Sequence, residues 1–404
     1  MMMDQPIRIG IVGSRYAAEF HYEAYQRITA FDVNVVGVTS ITKEHREKFA
    51  EERDITAFNS LDEMLPEVDV VDNCTPGYAH EPVSIAAFEA GKHLVVEKPF
   101  TGYFGPAEDT TFKGNAFSKE TMLEEAVASA RRIIGAALKS KKKLCYAENW
   151  IYAPAVQKEA EIVAKTKGQI LWALGDQSHS GSPSPAYGVW RLSGGGSVVG
   201  KSCHPLSAIL YLKQVEGLSR DGKAIRPKAV SARTHEITRN PRFIDKGYLR
   251  TDYEDIEDYC QIHVVFDDGM IADVFASELV MGGVHNWLEI FANNHRVRCN
   301  LSPINAMELY NPLEEQLADV YVVEKIGTKQ GWSTPAPDES FMFGYPQEIQ
   351  DFIEAIATDR EPKAGSLAAS DIVGVLYAAY LSAERQGAEV NVPLDPALDH
   401  FAML

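Results

Sequence analysis

Three short motifs place residues that could bind phosphate or move protons directly after apolar runs. The motif GSRYA (13–17) follows the run IRIGIV, CTP (74–76) follows VDVVDN, and EKP (97–99) follows HLVV. Lys98 in the third motif, and His80 shortly after the second, are groups that can donate or accept a proton. The chemistry they indicate is general acid or base work beside a bound small molecule.

The apolar runs predict the strands of a parallel sheet. They are almost continuously apolar, as strands buried on both faces are, and helical patterns at 17–28, 43–53 and 81–90 separate them. Ligands of open parallel sheets bind in the crevice at the carboxyl ends of the strands, so the three motifs are expected to meet there. The predicted strands are 7–12, 33–39, 68–73 and 93–96, with 144–148 as a further candidate.

The first motif has the position of the glycine-rich turn G-x-G-x-x-G/A of dinucleotide-binding folds. There the first glycine allows a tight turn, the second lets a pyrophosphate approach the backbone, and the last small residue lets the helix pack on the strand. Gly13 and Ala18 meet two of these requirements, whereas Arg15 replaces the central glycine. Arg15 could obstruct the phosphates or bind one.

The second predicted strand ends at Ser40 instead of the Asp or Glu that holds the adenosine ribose in NAD enzymes. Arg15 and Lys43 are near in sequence and could bind a 2′-phosphate. The sequence therefore favours NADP slightly, and binding of NAD without this carboxylate stays open.

From Trp150 onward the pattern changes to strands that predict an α+β domain. The fold class expected is α/β, with an N-terminal Rossmann dinucleotide-binding domain over 1–147 and a C-terminal α+β domain with a large, mainly antiparallel open sheet over 148–404. A segment at about 101–118 is interpreted as an insertion over the site, with a disordered surface loop as the alternative. Predicted strands are 170–174, 229–237, 258–266, 270–277 and 287–292, and predicted helices are 155–165, 347–357 and 366–386.

These motifs together resemble the Gfo/Idh/MocA oxidoreductase family. The resemblance rests on the glycine turn, TP-x-x-x-H at 75–80, EKP at 97–99 and GGG at 194–196 ahead of His204, and it spans essentially the whole chain. It implies an NAD(P)-dependent dehydrogenase or reductase acting on a hydroxyl or keto carbon of a sugar, sugar derivative or cyclitol. It also implies a homodimer or homotetramer, because in relatives an exposed face of the second sheet pairs subunits.

The resemblance and the residue types give a set of expected site residues. Lys98 and His204 are expected to be catalytic, and desolvation is expected to lower the pKa of Lys98 enough for it to alternate between acid and base. The expected cofactor-binding residues are Gly13, Ser14, Arg15, Tyr16, Ala17, Ser40, Lys43, Thr75, Pro76, His80, Glu97 and Lys98. The expected substrate-binding residues are Lys98, Glu148, Asn149, Tyr152, His179, Trp190, Lys201 and His204.

One position departs from the family pattern GGG-x-x-x-D-x-G-x-H. This chain reads GGGSVVGKSCH, so that Gly200 stands where the carboxylate is expected. Neighbouring residues of an element point in different directions, so Lys201 is not assumed to replace it. Two alternatives follow from the missing carboxylate: a net non-redox step through transient oxidation, such as epimerisation or glycoside cleavage, or a non-catalytic sugar or nucleotide sensor.

Composition limits the class of partner. The 404 residues carry a formal charge of −18, which argues against nucleic acid or an anionic membrane surface. Five scattered cysteines indicate free thiols and, with no leader peptide or membrane span predicted, a cytoplasmic protein. No metal site is predicted, because the acidic cluster 252–258 is interpreted as a solvated turn and the histidines are scattered.

Overall fold

The computed structural model describes residues 5–402. Residues 1–4 and 403–404 lie outside the described residues. The first four belong to the segment in which no leader peptide is predicted, and the last two end the predicted second domain.

The N-terminal part of the chain forms a six-stranded parallel sheet in the order β3-β2-β1-β4-β5-β6. This is the strand order of dinucleotide-binding folds, whose two halves diverge from a central strand. The strands are β1 (Ile7–Val12), β2 (Val33–Thr39), β3 (Thr56–Ala57), β4 (Val70–Asn73), β5 (His93–Glu97) and β6 (Leu144–Ala147). The helices are α1 (Tyr16–Tyr25), α2 (Lys43–Glu51), α3 (Leu61–Met64), α4 (His80–Glu89) and α5 (Lys119–Ser140).

The predicted Rossmann fold is confirmed, and its buried strands are the ones that the apolar runs mark. Every residue of β4 and β6 is buried. The strand β3 was not predicted, because it has only two residues, neither of them fully buried, and no apolar run announces it. Strand length and burial therefore decide which strands the sequence reveals.

Residues 101–118 pack against the second half of the chain and are not a disordered surface loop. The backbone N–H of Tyr103 donates to Tyr377 Oη (2.7 Å), and the N–H of Gly114 donates to Asp255 Oδ2 (2.7 Å). The rings of Tyr103 and Phe117 stack with centroids 5.3 Å apart. The aromatic residues of this segment thus pack against one another, and the segment is bonded to the second half of the chain.

The C-terminal part forms a seven-stranded sheet in the order β12-β11-β7-β10-β9-β8-β15, with β13 and β14 paired separately. Only β7 and β10 pair in parallel, so the predicted mainly antiparallel sheet is confirmed. The strands are β7 (Ile170–Ser178), β8 (Pro227–His235), β9 (Tyr259–Phe266), β10 (Ile271–Ser277), β11 (His285–Ala292), β12 (Arg296–Ser302), β13 (Leu309–Asn311), β14 (Gly331–Ser333) and β15 (Val390–Asn391). The helices are α6 (Asn149–Tyr152), α7 (Pro154–Thr166), α8 (Trp190–Ser193), α9 (Cys203–Asp221), α10 (Glu339–Phe343), α11 (Tyr345–Thr358) and α12 (Ser366–Glu384).

By length and composition, the helix α12 could cross a membrane, although the sequence predicts no membrane span. Of its apolar window, 89% is buried inside the protein, where it packs against α5 and β8. Burial of this kind is what a core helix shows, and such a helix is weak support for a membrane span.

The acidic cluster 252–258 is only partly a solvated turn, so that interpretation is wrong for three of its members. Asp255, Glu257 and Asp258 are buried. Each accepts backbone hydrogen bonds: Asp255 from Gly114 and Trp190, Glu257 from Gly196 and Val198, and Asp258 from Ile237 and Thr238. These carboxylates hold loops in place, because buried backbone N–H groups need acceptors.

In the glycine turn 194–196, the central residue Gly195 has to be glycine for two reasons, its backbone conformation and the lack of space for a side chain. Gly195 has φ of 149°, and a Cβ there would lie 2.0 Å from Tyr380 Oη. We expect Gly195→Ala to lower the free energy of unfolding by about 3 kcal/mol, through backbone strain and the clash together. The control Gly222→Ala adds a Cβ at φ of 69° with no atom within 4 Å and should cost about 1 kcal/mol. Equal urea midpoints for the two variants would contradict the packing role of Gly195.

Candidate active site

The turn after β1 has the geometry that a dinucleotide pyrophosphate requires. Gly13 has φ of 113°, and a Cβ there would lie 2.6 Å from the carbonyl oxygen of Cys74. No side chain caps the start of α1, so its first N–H groups, those of Tyr16 and Ala17 included, are available to phosphate oxygens. The residues of this turn therefore fit a dinucleotide, whose reaction chemistry would be hydride transfer.

Arg15 does not fill the turn. Its side chain is exposed and directed to α2, where Nη2 lies 3.4 Å from His45 Nδ1. Beside it, Ser14 Oγ and Ser40 Oγ are 2.8 Å apart, at the end of β2 where the ribose carboxylate of NAD enzymes would stand. Lys43 is not brought into this group, since its ion pair is with Glu47 along α2 (3.7 Å). The predicted residues Ser14, Arg15 and Ser40 thus lie together at the end of β2. His45, which was not predicted, lies beside Arg15.

His80 joins the second and third motifs. Its buried ring places Nε2 2.7 Å from the Thr75 carbonyl oxygen and Nδ1 2.9 Å from the Pro99 carbonyl oxygen. The Lys98–Pro99 peptide bond is cis. His80 therefore fixes the backbone of both strand ends, and its ring nitrogens are engaged with the protein.

Behind the EKP motif lies a buried charge cluster that the sequence did not reveal. His21 Nδ1 is 2.9 Å from Asp72 Oδ2, and His21 Nε2 is 3.2 Å from Glu97 Oε1. Burial opposes the charge of His21, but Asp72 outweighs it and raises the pKa of the ring well above its usual value. Glu97 Oε2 in turn accepts the backbone N–H of Lys98 (2.8 Å). This cluster fixes the backbone from which the Lys98 side chain extends.

The side-chain ammonium of Lys98 forms no hydrogen bond or ion pair with any of residues 5–402. Desolvation opposes its charge, but the carboxylates of Glu97, Glu148 and Glu324 help to outweigh it and raise its pKa above the usual value. The expectation of a lowered pKa for Lys98 is therefore wrong, because nearby carboxylates favour the ammonium form. Lys98 is a charged donor with its hydrogen-bonding capacity free.

His204 is paired with a carboxylate, but this carboxylate does not come from the GGG segment in which the family pattern has its aspartate. Glu148, which also caps α6, places Oε1 2.6 Å from His204 Nδ1, and both side chains are buried. The position of the expected Asp is closed, since a Cβ on Gly200 would lie 2.6 Å from Cε2 of Tyr187. The site therefore holds a carboxylate–histidine pair, made by Glu148.

A second polar group forms around His179. Lys201, from the π-helical turn Val198–Ser202, is buried, with Nζ in contact with His179 Nε2 and 3.0 Å from Glu278 Oε1. Lys325 Nζ lies 2.7 Å from the same ring nitrogen, and Tyr187 donates a 2.6 Å hydrogen bond to Glu278 Oε1. We call His179, Lys201, Glu278 and Lys325 the lysine cluster.

The lysine cluster has shifted pKa values for a simple reason. Desolvation lowers the pKa of Lys201 to about 8, against the attraction of Glu278 and with the repulsion of Lys325 and Lys98. Desolvation and the neighbouring lysines also lower the pKa of His179, which keeps its ring neutral. Lys98 is among the charges that lower the pKa of both groups. Lys325 and Glu278 were not predicted, because no motif surrounds them and they come from distant parts of the chain.

Three predicted substrate residues have partners within the protein. Asn149 Nδ2 donates to the Phe343 carbonyl oxygen (2.9 Å), and Tyr152 Oη donates to Asp351 (2.9 Å). Trp190 Nε1 donates to the Tyr103 carbonyl oxygen (3.0 Å), and its ring packs on Tyr380. All three side chains are buried and hydrogen-bonded within the protein, so they hold neighbouring segments together.

Two groups of metal-ligand type lie within the described residues: His21 with Asp72 and Cys74, and Glu148 with Cys203 and His204. In both, a histidine–carboxylate ion pair already explains the proximity. Desolvation raises the pKa of both thiols, whereas metal ligation requires a thiolate. The sequence prediction that there is no metal site stays a prediction.

The N-terminal part of the chain is similar in sequence to known oxidoreductases. Residues 7–111 match the family model GFO_IDH_MocA, described as an oxidoreductase family with an NAD-binding Rossmann fold. The chain is 36% identical over 95 residues to the UDP-N-acetylglucosamine 3-dehydrogenase of Acidithiobacillus ferrooxidans, which covers 24% of this chain and 29% of that protein. The chain thus spans under a third of the length of the first curated relatives it matches.

Solved structures share the whole fold. GenD2 from gentamicin A biosynthesis, in complex with NAD, superposes with a TM-score of 0.76 at 22% identity, covering 97% of this chain and 98% of that one. The myo-inositol 2-dehydrogenase of Lactobacillus plantarum superposes with a TM-score of 0.68 at 17% identity, covering 96% and 100%. At these identities the likeness establishes the two-sheet fold.

Proposed function

We propose, from the match of residues 7–111 to the model of the Gfo/Idh/MocA oxidoreductase family, that this protein is an NAD(P)-dependent dehydrogenase or reductase. Its substrate would be a sugar, sugar derivative or cyclitol, and hydride would be transferred at a hydroxyl or keto carbon of that molecule. The observation that carries the proposal is the free ammonium of Lys98 beside the Glu148–His204 pair, at the carboxyl edge of a dinucleotide-type sheet. The named activities of the curated relative and of the inositol dehydrogenase support the substrate class.

The residues divide the proton chemistry as follows. Glu148 accepts a hydrogen bond from His204 Nδ1–H, which leaves Nε2 as the lone-pair nitrogen that takes a proton from the substrate hydroxyl. Lys98 donates hydrogen bonds to the oxygen as negative charge develops on it. The bound nicotinamide would supply hydride transfer. In the reductive direction His204 returns the proton to the oxygen.

The proposal is tested by binding and turnover together. Purified protein is first denatured to check for retained nucleotide and then titrated with NADH and NADPH, following nicotinamide fluorescence. A panel of sugars and cyclitols is then screened for a change in nicotinamide absorbance. Binding with net reduction supports the dehydrogenase. Turnover without net reduction identifies the transient-oxidation alternative, and absence of nicotinamide binding identifies the sensor.

The cofactor proposed is NADP in preference to NAD. Ser14, Ser40, Arg15 and His45 surround the place where a 2′-phosphate would lie, and no carboxylate closes β2. We expect Arg15→Ala to raise the Kd of NADPH about 10-fold, because one charge-assisted contact is lost. The Kd of NADH should change less than about 2-fold. Lys43→Ala serves as control, because Lys43 pairs with Glu47. An equal effect of Arg15→Ala on both nucleotides would contradict the preference.

A homodimer or homotetramer in the cytoplasm is also proposed. On the outer face of the second sheet, Trp172 and Phe291 stack with centroids 4.8 Å apart, and Trp287 lies under Arg298. Aromatic side chains with arginine are enriched where subunits pair. Sedimentation velocity is expected to show an oligomer, which Trp287→Glu should weaken, and a monomer at all concentrations would contradict it. The five free thiols support a reducing compartment.

A further inference from the structure

We infer that the substrate carries a carboxylate near the reacting carbon, and that the lysine cluster binds it. The inference rests on the proposed function and narrows its substrate class to sugar acids or cyclitol acids. Lys201 and Lys325 would donate to the carboxylate oxygens, while Lys98 and His204 act on the neighbouring hydroxyl or keto oxygen.

Three hydrogen-bond donors of the lysine cluster meet at one ring nitrogen of His179. The backbone N–H of Gly181 donates to His179 Nδ1 (3.0 Å), so the neutral ring carries its proton on Nε2. Both lysine ammonium groups contact that same Nε2. Three donors therefore converge on one point, which an acceptor-only group such as a carboxylate would satisfy.

The charges near this point favour an anion with a single charge. Burial lowers the pKa of Lys201 and Lys325, and repulsion by other lysines, Lys98 included, adds to this effect. Each of the two is already paired with a carboxylate, Glu278 at 3.0 Å from Lys201 and Glu324 at 3.4 Å from Lys325. Glu97 and Glu148 also act on the charge of Lys98. With these carboxylates present, one further carboxylate is opposed less than a phosphate dianion.

The burial of Lys201 has a cost that a ligand would offset. Lys201 is buried on a π-helical turn, where its ammonium loses hydration. Turns of this kind and desolvated charges are frequent at functional sites.

The test compares acids with their neutral parents by titration calorimetry on the full chain, with and without NADPH. The probes are D-glucuronate against D-glucose and D-galacturonate against D-galactose. We expect an acid to bind at least about 10-fold tighter than its parent, as charge-assisted hydrogen bonds provide. Lys325→Gln should remove most of this preference, and the exposed Lys158, paired with Glu161, gives the control Lys158→Gln. Lys325 is partly exposed on a loop, so its replacement leaves the core intact.

A pH series gives a second readout. The groups facing Lys201 are His179, Glu278, Lys325, Lys98 and the ring of Tyr187. Lys201 loses its proton as the pH rises through about 8, so the affinity for the acid should fall there, while that of the neutral parent should not change. Affinity for the acid that is independent of both pH and Lys325 overturns the inference.

The remaining outcomes separate this inference from the proposed function. Nicotinamide binding with turnover of neutral sugars and no preference for acids overturns the inference alone. Lys325-dependent binding of acids without nicotinamide binding overturns the proposed function and supports the carboxylate site. Stronger competition by inorganic phosphate than by acetate, with the same dependence on Lys325, overturns the choice of a carboxylate.

Discussion

Lys98→Met is expected to lower kcat/KM about 10³-fold, within the range that a positioned proton donor or charge contributes to a reaction. The Lys98 ammonium has no partner among residues 5–402, and nearby carboxylates raise its pKa, so it is a charged donor at neutral pH. Methionine keeps the length of the side chain and removes its charge. The Kd of the nicotinamide cofactor should change less than about 3-fold, because the turn after β1 supplies the phosphate contacts. Initial rates and fluorescence titration measure the two quantities.

The matched control for this variant is Lys92→Met. Lys92 precedes β5 at its amino end, whereas Lys98 follows the same strand at its carboxyl end. The control should retain wild-type kcat/KM. If Lys98→Met kept more than about a tenth of the activity, the charge at this position would not act on the transition state.

Glu148→Gln is expected to lower kcat about 10³-fold with little change in KM, as loss of an orienting carboxylate does in other histidine-dependent sites. The glutamine amide can donate to His204 Nδ1, which places the ring proton on Nε2 and removes the lone pair that accepts the substrate proton. The carboxylate that stabilises the charged ring is lost as well. The rate in the oxidative direction should fall most, because there Nε2 must accept the proton.

Glu159→Gln is the matched control, because Glu159 forms an equivalent pair with His295 Nε2 (2.9 Å) away from the sheet edge. Its kcat should stay within about 2-fold of wild type, since it touches no reacting group. Equal losses in the two variants would indicate that the effect of Glu148→Gln comes from folding, as would a lowered Tm.

The sequence predicted the parts of the site that local pattern determines. The turn at Gly13 and the motif EKP each follow a strand directly, and parallel pairing of β1, β4 and β5 brings their ends to one edge. The two-residue strand β3 carried no pattern. Local sequence thus locates strand ends, because a buried strand needs a continuous apolar run.

The lysine cluster could not be predicted, because its members come from distant segments. Lys325 is 146 residues from His179 along the chain and lies in a loop without periodicity. The partner of His204 was equally hidden, since Glu148 is 56 residues away and was expected only to open the substrate domain. Lys201 contacts His179 and Glu278, whereas the ring of Tyr187 occupies the space next to Gly200.

The ring of Tyr187 against Gly200 limits which side chains position 200 can carry. An aspartate there would collide with that ring, whose hydroxyl donates to Glu278, the carboxylate paired with Lys201. The two positions therefore cannot be varied independently, because an aspartate at position 200 requires a smaller side chain at position 187. With a tyrosine at 187, the carboxylate that pairs with His204 has to come from another segment, and Glu148 supplies it.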